Sequence, residues 1–217
     1  MIKNIILDLD GTLADTASDI ITSLKYALKK KNIYKKLNLK IFKSIANKGS
    51  VYMVKKFIGS EKKKLISEIN DIFLDHYQKN ICIKSKLKKN VLFFLNDCKK
   101  KKIKLFVSTN KSEKNARLLL KKLNILKFFK FVAGSDTFFY RKPNPIHLEM
   151  LKKKFGFKKK QSIYIGDTEI DANLAKSFKI KFILIKNGYT SISHTNISSD
   201  FTVSNFTQIS PALKKLS

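Results

Sequence analysis

The sequence predicts an α/β chain: a parallel sheet with helices on both faces, interrupted after its first strand by a helical insert. Three observations carry this. Short apolar runs recur at Asn4–Leu7, Lys104–Val107, Phe131–Ala133, Ser162–Ile165 and Phe182–Ile185, with a sixth candidate at Asp200–Val203. Helix-like stretches at Asn90–Lys101, Glu113–Leu123, Ile146–Lys154 and Ile170–Ser177 separate the middle runs, the alternation expected of a parallel sheet. Between Asp15 and Asn80 no strand-like alternation occurs, and apolar residues recur instead at helical spacing.

Taken in order, Ile5-Ile6-Leu7 is a continuous apolar run of the kind buried on both faces of a sheet. The insert reads as amphipathic helices over Ser18–Lys31, Leu39–Asn47, Tyr52–Phe57 and Lys62–Asn80, the last showing Leu65-Ile66-x-x-Ile69-x-x-Ile72-Phe73. Residues 15–80 therefore form the insert, and residues 1–14 with 81–217 form the sheet-based core. Leu105-Phe106-Val107 is a second buried-type strand, after which Ser112 before Glu113 is placed as a helix N-cap. Pro143 and Pro145 fix the chain ahead of the helix at Ile146.

Chemistry gathers where the strands end. Asp8 and Asp10 follow the first strand, two residues apart and so able to face one point beyond its carboxyl end, the edge at which open α/β sheets bind ligands. Close carboxylates repel unless a cation or proton lies between them, so the pair reads as a Mg²⁺-assisted phosphoryl-transfer site. Asp10-Gly11 also has the composition of a plain turn. Ser162–Ile165 leads likewise into Gly166-Asp167, with Asp171 four residues on, either beside Asp167 or simply as first-turn helix chemistry. Thr109 and Asn110 end another strand with a hydroxyl and an amide that can bind phosphate oxygens, or that merely end a strand. Lys142, between Arg141 and Pro143, stands apart from the many surface lysines.

The set Asp8-x-Asp10-Gly11-Thr12, Thr109-Asn110, Lys142-Pro143 and Gly166-Asp167-x-x-x-Asp171 resembles, in motif order, the haloacid dehalogenase-like hydrolases. Gly134-Ser135-Asp136-Thr137, Lys111 and Asn187-Gly188-Tyr189 are similar to the phosphoglycolate phosphatase branch. The resemblance implies a Rossmann-like core with an inserted helical cap domain that closes over the site. It implies Asp8 as nucleophile, forming an aspartyl-phosphate, and Asp10 as general acid and then base. It further implies Mg²⁺ held by Asp8, the backbone carbonyl of Asp10 and Asp167, with Asp171 in support. Thr109, Asn110 and Lys142 would bind the transferring phosphoryl group. The second carboxylate, Asp10, favours phosphate esters over carbon–halogen or carbon–phosphorus substrates. Related sugar phosphomutases carry a histidine soon after the first motif, and Asp15–Asp19 has none.

Two departures from the resemblance fall in the insert and its exit. Ala46-Asn47-Lys48-Gly49 stands where relatives show a Gly-Asn-Gly-like turn; Asn47, Lys48 and Gly49 are the candidate substrate loop of the cap. Ser85–Asn90 replaces a Pro-x-Pro-Gly turn, with Asn90 able to take a left-handed conformation.

Composition bounds the rest. The chain has 217 residues, 43% of them hydrophobic, enough for a real core. Its formal net charge is +30, yet only Arg117 and Arg141 are arginine. Readers of DNA and RNA favour arginine's bidentate fork, so the lysine excess reads as compositional bias on a solvated surface rather than as a nucleic-acid site. Cys82 and Cys98 form no metal-ligand cluster and read as core residues in a reducing compartment. His76, His147 and His194 are scattered. With no leader and no long apolar segment, the expectation is a cytoplasmic protein with no membrane partner.

The expected activity is Mg²⁺-dependent hydrolysis of a small phosphorylated metabolite, with 2-phosphoglycolate first. Inorganic pyrophosphatase or nucleotide phosphatase activity is the alternative on the same scaffold. Outside the enzyme class stands a nucleic-acid-binding or regulatory protein with a relict fold.

Overall fold

The computed structural model describes residues 1–59 and 61–216. In chain order the elements are β1 (Asn4–Leu7), β2 (Ala14–Asp15), α1 (Ala17–Lys29), α2 (Leu39–Lys43), α3 (Ser50–Ile58), α4 (Lys63–Lys79), β3 (Lys86–Leu87), α5 (Val91–Lys100) and β4 (Lys104–Ser108). There follow α6 (Glu113–Lys122), β5 (Phe129–Ala133), α7 (Ile146–Phe155), β6 (Ser162–Gly166), α8 (Glu169–Phe178), β7 (Lys181–Ile185), β8 (Phe201–Val203) and α9 (Ile209–Lys215).

Among the described residues, six strands form one parallel sheet in the order β5-β4-β1-β6-β7-β8. The alternation of a strand sorts its side chains onto two faces. Ile5, Leu7, Leu105, Val107, Ile163 and Ile165 enter one apolar core, with α5, α6 and α9 against it. Ile6, Phe106, Tyr164, Phe182 and Leu184 enter the other, under α7 and α8. Strand β1 is central, and the chain turns to opposite sides of it at β4 and β6. Leu7 is in register with both Val107 and Ile165, so the carboxyl ends of β1, β4 and β6 finish side by side. That is the topological switch point of such a sheet.

The insert is helical, as its spacing predicts. Ile20, Leu24, Ala27 and Leu28 of α1 are buried, as are Ile66, Ile69, Phe73 and Tyr77 of α4, and the two helices pack together with α3 alongside α4. His76 stacks on Tyr26 at 4.0 Å and shares a hydrogen bond with Ser23. Asp19 of α1 is buried and accepts hydrogen bonds from Lys84 N, Ser85 N and Ser85 Oγ, tying the exit segment back to the start of the insert.

Several elements differ from the sequence reading. The helix predicted over Leu39–Asn47 ends at Lys43, and a single 3₁₀ turn follows at Ala46–Lys48. Ser44 donates its hydroxyl to the Ile41 carbonyl, a local bond that competes with continued helix. Strands β2 and β3 pair antiparallel, Ala14 opposite Leu87 and Asp15 opposite Lys86, so a short ribbon clasps the entry and exit of the insert. Helix α9 is also additional. Ser112 does occupy the N-cap position of α6, but its side chain makes no capping bond; Asp136 accepts from Glu113 N at 2.7 Å instead. Cys98 lies in the core, whereas Cys82 is only half-buried at its margin. Asn90 takes the left-handed conformation (φ 65°) before α5. Among the described residues, no helix is long and apolar enough to cross a membrane.

Candidate active site

The three aligned strand ends deliver the candidate residues to one place. Asp8 leaves β1, Thr109 leaves β4 and Asp167 leaves β6, and all three are buried. Lys142, on the loop before α7, reaches in from the side. Its ammonium donates to Asp8 Oδ1 at 2.6 Å, to Asp171 Oδ1 at 2.7 Å and to the Tyr164 hydroxyl at 3.2 Å. Tyr164 passes its own proton to the Ser108 carbonyl at 2.9 Å. Burial disfavours the charge on Lys142, yet Asp171 and then Asp8 hold its pKa well above the ordinary lysine value.

Carboxylates outnumber that cation. Ligand oxygens of Asp8, Asp167 and Asp171 all lie within 4.8 Å of one another. Burial raises the pKa of Asp8 well above the usual range; Lys142 opposes this, and Asp171 and Asp167 add to it. Asp167 is pushed up to about 6, by burial first and Asp171 second. Such crowding is relieved by a hard cation with oxygen ligands.

The individual bonds separate the three. Asp171 Oδ2 accepts from Thr168 N, Thr168 Oγ1 and Asp167 N, and Oδ1 accepts from Lys142, with the Tyr164 hydroxyl 3.3 Å from it. Asp171 thus opens α8 and braces Lys142 at the same time. Asp167 is held by single bonds at each oxygen, from Thr12 Oγ1 at 2.6 Å and Tyr189 N at 2.6 Å. Backbone presses closely on it. A Cβ at Gly188 would stand 2.1 Å from Asp167 Oδ2, and one at Gly11 (φ +90°) 2.3 Å away. Asp8, Asp167 and Asp171 therefore make an oxygen-donor set that fits a Mg²⁺-type ion, with Asp171 the most fully engaged by protein donors.

Asp10 stands apart from this cluster. Its Oδ1 accepts from Thr16 Oγ1 at 2.6 Å and pairs with Lys111 Nζ at 3.2 Å. Asp8 and Asp10 both line a cavity of about 330 Å³ beneath the insert, together with Thr109, Asn110, Lys111 and Lys142. Thr109 Oγ1 accepts from Lys111 N, and Asn110 Nδ2 donates to the Lys142 carbonyl, which couples the two candidate phosphate-binding loops. From the insert, Ala46, Gly49, Met53, Phe73 and Tyr77 form the cavity's roof. Lys48 is turned away from it, its ammonium 4.7 Å above the Tyr52 ring. The side chain of Asn47 lies outside the described residues.

A family model described as haloacid dehalogenase-like hydrolase matches residues 5–185. The chain belongs to this family. Within it the chain falls in the phosphoglycolate phosphatase-like branch, a group of phosphoric monoester hydrolases. It is 32% identical over 190 residues to a phosphoglycolate phosphatase of Mesorhizobium japonicum, covering 86% of this chain and 83% of that one. To the phosphoglycolate phosphatase of Aquifex aeolicus it is 30% identical over 200 residues, with coverage of 92% and 91%. A solved structure from Haemophilus somnus, described as a predicted phosphoglycolate phosphatase, superposes with a TM-score of 0.91 at 25% identity, covering 98% of each chain. CbbY from Rhodobacter sphaeroides, solved in complex with phosphate, shares the fold at a TM-score of 0.84 and 17% identity, covering 96% of each chain.

In this hydrolase, two residues gain a role that sequence reasoning noted only as features of the branch. Lys111 is buried between Asp10 and the Tyr77 hydroxyl (3.0 Å), with its ammonium 4.5 Å over the Tyr77 ring. Burial acts against its charge, but Asp10 and then Tyr77 raise its pKa. Tyr77 belongs to α4, so Lys111 joins the insert to the core across Asp10. Tyr189 gives its amide to Asp167, while its hydroxyl accepts from Thr16 N and Ala17 N and donates to Asp15. The surviving signal for both was position alone: Lys111 directly after Thr109-Asn110, and Tyr189 directly after a glycine. His147 is a core residue, bonded to the Tyr140 carbonyl, with its pKa lowered by burial to about 4.

Proposed function

We propose that this chain is a Mg²⁺-dependent phosphatase of small phosphate monoesters, with 2-phosphoglycolate the leading substrate. The observation that carries the reading is the contact of Asp8 with Lys142 at 2.6 Å, on the floor of a cavity that also contains Asp10. Asp8 attacks phosphorus and forms an acyl phosphate as the P–O bond to the substrate alcohol breaks. Asp10, outside the metal cluster and open to the cavity, gives the leaving oxygen its proton. It then takes a proton from the water that cleaves the acyl phosphate. Lys142, Thr109 and Asn110 hold the phosphoryl oxygens, Lys142 by its charge.

Asp8 and Asp167, with the backbone carbonyl of Asp10, would hold Mg²⁺, and Asp171 would orient Lys142 and the ligand carboxylates beside it. Bound there, the ion supplies positive charge against the phosphoryl oxygens as negative charge moves between them. The insert, residues 15–80, acts as a cap that excludes water. A cavity of about 330 Å³ is large enough to hold a small phosphate monoester.

The test is phosphate release from 2-phosphoglycolate, pyrophosphate, nucleoside monophosphates and sugar phosphates with Mg²⁺, using Asp8→Asn as blank. Preference for 2-phosphoglycolate by about two orders of magnitude in kcat/KM would correspond to roughly 2.7 kcal/mol of transition-state discrimination. A preference for pyrophosphate or nucleotides would keep the chemistry and overturn the substrate. Substantial turnover by Asp8→Asn would overturn the covalent mechanism.

A further inference from the structure

A second cavity, about 750 Å³, opens beside the first and shares Val51, Asn110, Arg141, Lys142 and Ile170 with it. Its remaining charged lining is Lys48 and Lys55, both from the insert, and among the described residues it contains no carboxylate. In a chain of net charge +30, lysines near a cavity mean little by themselves. The missing carboxylates mean more. Three other surface cavities, equally rich in lysine, each contain acidic side chains: Asp200 in one, Glu149 in another, Glu61 and Glu68 in the third.

The inner cavity has the opposite balance. Lys111 is neutralised there by Asp10, and Lys142 by Asp8 and Asp171. Arg141, one of only two arginines in the chain, lines both cavities and enters none of the ion pairs among the described residues. Its guanidinium lies against Gly49 of the insert, where a Cβ would come within 2.9 Å of Nη1. A planar cation without a carboxylate, adjacent in sequence to Lys142 and facing the insert, is placed to receive an anion by a bidentate fork.

We propose that this vestibule is a second anion subsite, in which Arg141, with Lys48 and Lys55 behind it, binds the non-transferred anionic end of the substrate, a carboxylate or a second phosphate. The assignment rests on the phosphatase reading above and deepens it. With the phosphoryl group on Lys142, the other end of a short chain would extend toward Arg141, which lines the same two cavities. Because Lys48, Lys55 and Gly49 come from the insert, the same anion would also draw the insert onto the core.

Three substrates separate the possibilities: ethyl phosphate, whose tail is neutral, 2-phosphoglycolate, and propane-1,3-diol bisphosphate. For Arg141→Gln, the kcat/KM ratio of an anionic-tailed substrate to ethyl phosphate should fall at least about tenfold, mostly through KM. Arg141→Lys should recover part of that ratio. Loss on 2-phosphoglycolate identifies a carboxylate site, and loss on the bisphosphate identifies a phosphate site. A further loss in Lys48→Gln/Lys55→Gln confined to the bisphosphate supports the wider vestibule. Equal losses on all three substrates would show that Arg141 merely holds the Lys142 loop, and unchanged ratios would remove the anion from this cavity; either overturns the subsite. Calorimetric binding of the same three compounds to Asp8→Asn, with and without Arg141→Gln, reads the subsite without turnover. Absence of turnover by the wild-type protein would therefore defeat the phosphatase reading and leave the binding comparison decisive.

Discussion

Asp10 and Asp8 share a cavity but not an environment, and the difference supports the separate roles proposed for them. Asp8 is pinned by Lys142 among carboxylates, whereas Asp10 is held by Thr16 and Lys111 outside that cluster. If Asp10 moves the leaving-group proton, Asp10→Asn should lose about 10²–10⁴-fold in rate on alkyl phosphates and distinctly less on an activated aryl phosphate. Equal losses on both would make Asp10 structural. The pKa values of Asp8 and Asp167 carry a second prediction. Each is raised above its unfolded value, Asp167 to about 6, so the folded protein binds more protons than the unfolded chain on the acid side. Metal-free stability is therefore favoured at low pH and falls as pH rises through about 6. If Mg²⁺ takes the place of those protons, the gap in melting temperature between Mg²⁺ and EDTA should widen from about pH 5 to about pH 7.5. A gap independent of pH would place the ion elsewhere.

Helix α1 shows how an element can depend on a residue far along the chain. Thr16 sits at its N-cap without a side-chain capping bond; the Tyr189 hydroxyl accepts from Thr16 N and Ala17 N at 2.6 and 2.8 Å instead. Tyr189→Phe keeps the ring against Phe42 but strands those two amides, and should cost about 1–3 kcal/mol in urea unfolding. Because Tyr189 N also fixes Asp167, weaker Mg²⁺ dependence should accompany the loss; a change below about 0.5 kcal/mol would mean that water replaces the hydroxyl. This contact was not legible in the sequence, since nothing local marks Tyr189 as a cap for a helix at the other end of the chain. Five of the six parallel strands were legible because they are short apolar runs, β8 (Phe-Thr-Val) only as a candidate, and α4 because its buried residues recur at helical spacing. The β2–β3 ribbon was not, as strands of two residues have no period to read. Within the site, Asp8, Asp167, Lys142 and Thr109 could be read from strand ends and motif order. Lys111 was hidden by composition: one buried lysine looks like any other in so basic a chain.

At the scale of the molecule, the charge of +30 acts on every anion that approaches. Exposed like charges repel, which lowers stability at low salt, and their field draws in anionic substrates. Both effects are screened, over about 10 Å at 0.1 M salt and about 3 Å at 1 M. Raising NaCl should therefore lift the melting temperature while lowering kcat/KM for a phosphorylated substrate, with kcat held nearly constant because the buried contacts of Asp8 and Lys142 are shielded from bulk ions. If kcat falls in parallel with kcat/KM, salt is reaching the buried site itself and steering is not the cause. The same field will bind DNA at low ionic strength whatever the protein does. A dedicated nucleic-acid surface would have to hold DNA at physiological salt, against the steep loss of phosphate contacts as counterions compete. The predominance of lysine over arginine argues for the weaker, dissociating behaviour, since a lysine ammonium lacks the fork that locks onto a phosphate. Retention on DNA at about 0.15 M NaCl, competing with substrate turnover, would turn this surface from a steering field into a binding site.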